Sequence, residues 1–406
     1  MSLTSQHQPV NPDARHARLR DRYKLHPDIV KLGWVSFLTD LSSEMIFAVF
    51  AVFFTTIAGA PVAFLGLVEG MADFSAASLS YWSGRWSDRS GKRKVFALGG
   101  YAFSTLAKTL LLVSTSVAAL GVFRVVERLG KGFRGPPRDA WLATLSDPAR
   151  RGLSFGIHKA LDKAGAVLGP LLAYGLLRWT GESAAGYQTL FWIAVVPALL
   201  SMGLLVSVTD PVGAPQAQES VVHNWQSLSP DFKRFMLPAG IFALGYYSLG
   251  FLLVKAHTLG LGTTDIVLLY AGFNLSCVVC APMVGWLADR IGRRRVVLLG
   301  YALYGLINLG AWFVDSAGGL VLLFAVYGGF YAIEESQTKA FIADLEPQRR
   351  ATAIGVYGFF TGLLYLPASL LAGALWALAP GYAFAAAATL SLAAIMLLSR
   401  WRPAKR

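Results

Sequence analysis

Gly84-Arg85-Trp86-Ser87-Asp88-Arg89-Ser90-Gly91-Lys92-Arg93-Lys94 returns later in the chain as Gly285-Trp286-Leu287-Ala288-Asp289-Arg290-Ile291-Gly292-Arg293-Arg294-Arg295. Gly285, Asp289 and Gly292 each stand 201 positions beyond Gly84, Asp88 and Gly91. In both places a charged, glycine-punctuated loop separates two long apolar segments. Such a repeat describes a duplicated membrane unit.

Composition agrees with that reading. The 406 residues are 55% hydrophobic, and mean hydropathy is +0.52. A soluble fold has nowhere to bury that much apolar surface, whereas spans of roughly 20 apolar residues match a hydrocarbon core ~30 Å thick. Only helices and closed barrels cross that core, and continuous rather than alternating apolar runs select helices. A net charge of +13 would suggest nucleic acid on a soluble protein. Here the cations gather in short loops between spans, so no nucleic-acid partner is expected. The two cysteines, Cys277 and Cys280, make no disulfide framework. With no further ligands near them in sequence, they read as small buried thiols rather than a metal site. No G-x-x-x-x-G-K-[ST] loop is present, so ATP-driven pumping is unsupported and no cofactor is expected.

Twelve spans are expected, near residues 31–57, 62–86, 95–115, 118–143, 152–177, 187–208, 236–259, 264–288, 296–314, 319–343, 352–378 and 381–400. They divide the chain into a tail over 1–30, a six-helix bundle over 31–208, a polar linker over 209–235, a second bundle over 236–400 and a tail over 401–406. The first apolar run is too long and too acidic for a signal core. Lys and Arg set the orientation. Lys92 to Lys94, Arg150, Arg151, Lys233, Arg234, Arg290 to Arg295, Arg349 and Arg350 share one side with both termini, and the opposite connections at 59–61, 114–118, 315–319 and 379–382 hold neither residue. The expected setting is the cell (inner) membrane, multi-pass, with both termini cytoplasmic and the lipid bilayer as surroundings.

Charge inside the spans is costly, on the order of 2.5–3.5 kcal/mol per residue at a helix centre on insertion scales. The first half nevertheless carries Asp40 and Glu44 one turn apart, Glu69 and Asp73 one turn apart, Lys108, then Arg124, Glu127, Arg128 and Lys131, and finally His158, Asp162 and Lys163. Asp40 lies roughly 14 Å into its helix, near the midplane. Mutual pairing that fixes helix packing is one account. Against it, the second half has Phe324, Tyr327, Gly328 and Tyr331 where the first has Arg124, Glu127, Arg128 and Lys131. Packing of that helix does not require the charges. Polar-substrate binding, proton carriage or both explains them better, because a carboxyl that trades between a cation, water and substrate changes its proton occupancy. Asp40 and Glu44 are the first candidates for coupling acids, with Arg124 and Arg128 as partners or anion-binding groups. In the second half Asn274 is the counterpart of Asp73, and Glu334 and Glu335 are deep in the tenth span, with Lys339 as a partner for one of them. Tyr327, Tyr331, Tyr357 and Tyr365 are candidates for an amphipathic lining.

The pattern G-x-x-x-D-R-x-G-[KR]-[KR]-[KR], present twice, resembles the loops after the second and eighth helices of the major facilitator superfamily of transporters. The resemblance covers the chain from about residue 31 onward. It implies an all-α membrane protein of twelve transmembrane helices in two pseudo-symmetric six-helix bundles, acting as a monomer. It also implies that Gly84, Asp88, Arg89, Gly91 and Arg93, with Gly285, Asp289, Arg290 and Gly292, latch the outward-facing state. Asp139 is a candidate partner for Arg89 or Arg93. Arg124 falls where exchangers of the superfamily carry a cavity-facing arginine. Gly165-x-x-x-Gly169-Pro170 is similar to the motif of its antiporters, and the acidic first helix looks like its drug/proton antiporters. The denser basic run through Arg128, Lys131, Arg134 and Arg138 departs from those exporters and leaves anionic or zwitterionic solutes open.

The expected function is therefore secondary active transport of a small polar or amphipathic solute, not enzymatic catalysis, with the solute and protons as partners. Proton-coupled efflux is the leading mode, and proton-coupled uptake of an organic anion or zwitterion the alternative. A non-transporting receptor on the same scaffold and a channel are the other classes, the latter disfavoured by the duplicated gating loops.

Overall fold

The computed structural model describes residues 26–147, 151–210 and 225–401. Arg150, most of the two expected tails and most of the expected linker lie outside the described residues. The described chain forms α1 (Pro27–Ile57), α2 (Val62–Ser90), α3 (Arg93–Val113), α4 (Val117–Leu145), α5 (Arg151–Thr180), α6 (Ala184–Val206), α7 (Pro230–Thr258), α8 (Thr263–Ile291), α9 (Arg293–Phe313), α10 (Ala317–Leu345), α11 (Arg350–Leu378) and α12 (Pro380–Arg400). Eleven of them are long and apolar enough to cross a membrane. The remaining one, α4, is equally long, but its charged residues lower its hydropathy.

The boundaries have local causes. Ser116, Ser183, Ser229 and Ser316 each accept a backbone N–H in the first turn of α4, α6, α7 and α10. With Ser229 as cap and Pro230 at its first position, α7 starts inside the stretch expected as linker. In the repeated loops, Gly91 ends α2 at φ 67° and Gly292 ends α8 at φ 88°, a region that disfavours side chains with a Cβ.

In the first half, α5 and α6 pack on α1, and α3 and α2 on α4; in the second, α7 and α9 pack on α12, and α8 on α10. The halves meet along α2–α11 and α5–α8. Gly165 and Gly169 hold α5 against α1: a Cβ at Gly165 would stand 2.4 Å from the Phe37 carbonyl oxygen, and one at Gly169 2.7 Å from that of Leu41. Pro170 follows inside the same helix.

Three helices are irregular where the halves face each other. The last turn of α1, Phe53–Ile57, and the segment Glu334–Thr338 of α10 are π-turns. α7 is helical over Pro230–Gly245 and again over Gly250–Thr258, and unwinds between. At the end away from the repeated loops, Phe53, Phe54, Leu65, Tyr187 and Phe251 are buried together in the main core cluster.

Candidate functional site

A cavity of about 1200 Å³ lies between the halves. Its lining runs from Arg85, Asp88 and Thr352, in the end turns of α2 and α11, to Ala51 and Leu253 deeper in. It therefore reaches the end that carries the repeated basic loops.

One wall is charged and comes from the first half. Arg124 grips Glu69 with two parallel bonds, Nε to Oε1 and Nη2 to Oε2, both 2.6 Å. Its guanidinium lies 4.2 Å from the centre of the Phe47 ring. Arg128 pairs with Asp73 at 3.4 Å. Asp162 accepts from Ser36 Oγ at 2.6 Å and from Lys159 Nζ at 3.1 Å. Asp40 of α1 lines the same cavity as Asp162. Asp162 is held by one ammonium and one hydroxyl donor, whereas Asp40 has neither among the described residues. Among the described residues neither Asp40 nor Glu44 makes an ion pair.

The opposite wall is aromatic and comes from the second half: Tyr246, Tyr270, Phe273, Tyr327, Tyr331 and Tyr365 line it. Polar bonds cross between the walls. Tyr270 donates to Glu44 at 2.5 Å, and Ser248, in the unwound part of α7, donates to Glu69 at 2.9 Å. Glu335 receives Lys159 at 2.7 Å and Lys163 at 2.8 Å. The π-turn widens α10 at consecutive carboxylates, and they take different partners: Glu334 accepts from Thr338 and Tyr357 at 2.9 and 3.0 Å, while Glu335 reaches across to α5.

Asp40, Glu44, Glu69, Asp73, Arg124, Arg128, Lys131, Asp162, Lys163, Asn274, Glu334 and Glu335 thus share one cavity. Glu127 and His158 are buried away from it; Glu127 accepts from Ser43 at 3.3 Å. Lys108 also stays off the cavity, donating to Ser42 and Ser43 at 2.8 and 3.0 Å. Lys339 lines the cavity but forms no ion pair with either glutamate. At the basic-loop end Asp139 engages its neighbour Arg138 at 3.0 Å, rather than Arg89 or Arg93. Arg93 instead donates to Thr144, and Arg293, the repeat counterpart of Lys92, pairs with Asp344 at 2.5 Å. Gly84 and Asp88 reach the cavity mouth; Gly285, Asp289, Arg290 and Gly292 are outside its lining. Sequence reasoning passed over Lys159, Ser248, Tyr246 and Tyr270. A lysine one turn before the flagged Lys163 was the one available signal. Among the described residues no group of His, Cys, Asp and Glu is placed to hold a metal ion.

The far end is fastened between halves. Glu182, in the α5–α6 connection, accepts the Thr263 and Thr264 backbone N–H groups at 2.9 and 2.6 Å, and the Thr264 hydroxyl, at the start of α8. Partial burial would raise its pKa, but the bonds from Thr264 and Thr263 outweigh that and hold the carboxyl below its ordinary value. Beside it, Tyr187 donates to Thr263 Oγ1 at 2.7 Å.

The sequence profile described as Major Facilitator Superfamily matches residues 32–254 and 235–406. An uncharacterized MFS-type transporter of Methanocaldococcus jannaschii is 34% identical over 92% of this chain and 95% of its own length. The quinolone resistance protein NorA of Staphylococcus aureus is 23% identical over 77% of this chain and 80% of its own. The crystal structure of the nucleoside transporter NupG superposes with a TM-score of 0.76 at 12% identity, covering 92% of this chain and 99% of that one, a likeness of fold alone.

Proposed function

The chain belongs to the Major Facilitator Superfamily, and from that premise we propose that it is a proton-coupled secondary transporter working by alternating access. The solute occupies the cavity between the halves, and the Asp40–Asp162 pair carries the proton. The lysine and arginine asymmetry of the loops supports a cytoplasmic position for the basic-loop end. On that orientation the cavity opens inward, and the Glu182 contacts close the outside.

The acid pair is the observation that carries this reading. While Asp40 holds its proton, Asp162 is the only charged member of the pair. Once the proton leaves, two like charges share the cavity. The same two helices touch the other half through Glu44–Tyr270 and Lys159–Glu335. Proton occupancy therefore acts on the contacts that must change as the halves rock.

Exchange of a proton for an outgoing solute, the leading expectation from the sequence, draws support from the NorA relative and from the close α1–α5 approach at Gly165 and Gly169. It needs a solute that displaces the proton, that is, a cation. The cavity is arranged otherwise: Glu44, Glu69, Asp73, Asp162, Glu334 and Glu335 all have protein partners. Co-movement of solute and proton suits this geometry better. Proteoliposomes with an imposed pH gradient test the coupling. Asp40→Asn should abolish gradient-driven accumulation while solute exchange at equal pH persists. Undiminished gradient-driven accumulation in Asp40→Asn and in Asp162→Asn would remove the pair from the mechanism.

A further inference from the structure

We propose that the solute is an organic anion with a planar unsaturated body, its carboxylate held by Lys131 and its ring set against the tyrosine wall. This rests on the cavity being the transport site, as argued above, but not on proton coupling.

The cavity lining carries nine Lys and Arg side chains against eight carboxylates. Of the cations that line it, Arg124, Arg128, Lys159 and Lys163 are consumed by carboxylates, and Arg138 by Asp139 and Ser36. Arg134 donates to Ser104 at 2.5 Å. Lys131 and Lys339 are exposed, line the cavity, and make no hydrogen bond or ion pair among the described residues. Asp40 lines the cavity without an ion pair among the described residues. Glu44 and Glu334 are each held by a tyrosine hydroxyl, while Glu69, Asp73 and Glu335 are held by Arg124, Arg128 and the lysine clamp. An anion has a donor waiting.

Position narrows the class. Counted along their helices, Lys131 and Asp40 both lie about 20 Å from the basic-loop end, and both line the cavity. Lys339 lies about 9 Å from that end, on the route in. The charge of a solute carboxylate at Lys131 and the proton on Asp40 offset each other, so both travel in one direction. The facing wall is built from tyrosines, which offer ring faces for stacking and hydroxyls for hydrogen bonds. Where the walls touch, Lys163 Nζ lies 5.5 Å from the centre of the Tyr331 ring. A cavity of about 1200 Å³ leaves room for a ring-bearing solute with water against the tyrosine wall.

Calorimetric binding to the purified full-length protein tests this with four probes. Benzoate and terephthalate should bind, cyclohexanecarboxylate should bind at least several-fold more weakly, and benzylammonium should not compete. Lys131→Gln should weaken terephthalate by about tenfold or more, Lys131→Arg should restore most of it, and Lys339→Gln should reduce the on-rate more than the affinity. The proposal is overturned if benzylammonium binds as well as benzoate, if neither planar anion binds, or if Lys131→Gln leaves their affinity unchanged while keeping the wild-type melting temperature. Should Lys131→Gln fail to fold, the anion-over-cation and planar-over-puckered orders decide alone. Terephthalate that binds but is not driven by a pH gradient would sink the proton coupling and leave this proposal standing.

Discussion

Replacing Glu182 by Gln should open the outer end of the molecule. Glu182 is the one carboxylate that joins the α5–α6 connection to the start of α8, through two backbone N–H groups and the Thr264 hydroxyl. Glutamine keeps an acceptor oxygen but loses the charge. The attraction of a carboxylate to a helix N-terminus is worth about 0.3–1 kcal/mol at exposed sites, and the position is exposed, so solvent screening favours the lower half of that range. Weakening of the charge-assisted bonds adds a similar amount. A total near ~1 kcal/mol shifts the closed-to-open ratio by about fivefold. The pH dependence has a definite sign. The bound carboxyl's pKa is lowered, so its contribution is fully present above the ordinary Glu value of roughly 4.3 and is lost as pH falls through the lowered value. External pH between 5 and 8 should therefore leave the latch alone. Electron–electron distance measurements read this directly, with labels at Thr115 and Asp315 in exposed connections of the two halves at that end and both native cysteines replaced. Glu182→Gln should raise the long-distance population at neutral pH, and stronger acid should do the same in the wild type only. An unchanged distance distribution in Glu182→Gln would refute the latch.

Arg124→Ala leaves Glu69 buried without its cation, which should cost about 3–5 kcal/mol; Arg124→Lys should recover part of it, both read as melting temperature in detergent. Gly165→Leu drives a side chain into the Phe37 backbone and should cost about 1–3 kcal/mol or block expression, whereas wild-type stability would deny the close α1–α5 approach. Glu335→Gln releases Lys159 and Lys163, so terephthalate should bind about 3–10-fold more tightly; weaker binding would argue that the clamp positions the wall instead. Asp88→Lys places a cation among the basic residues of the repeated loop and should slow interconversion of the two faces, measured by single-molecule energy transfer; an unaltered rate would leave that loop a topological anchor.

The helices were legible because a bilayer imposes one long apolar pattern on each of them, and α4 was legible despite its charges because the repeat offered an uncharged twin. Most of the acid and base residues that gather in the cavity were visible for the same reason: charge at membrane depth is conspicuous. Their partners were not. Ser248 reaches Glu69 only because α7 unwinds after Gly245, and Glu335 reaches α5 only because α10 takes a π-turn. The break in α7 is held within its own half, where the Tyr304 hydroxyl donates to the Gly245 carbonyl and accepts from the Tyr247 N–H, and neither irregularity leaves a periodic trace in its segment. Asp139 was expected to meet Arg89 or Arg93 from loop proximity, but the adjacent guanidinium of Arg138 reaches it without spanning two helices. Glu182 passed unnoticed because a lone acid in a short connection is ordinary until the α8 N-terminus is placed beside it.

Infrared difference spectroscopy of the carboxyl groups asks most directly whether Asp40 holds a proton against Asp162. At neutral pH the wild type should show a protonated-carboxyl carbonyl band that disappears in Asp40→Asn and shifts in Asp162→Asn. A band unchanged in both variants, or absent from the wild type at every pH at which it transports, would contradict the account.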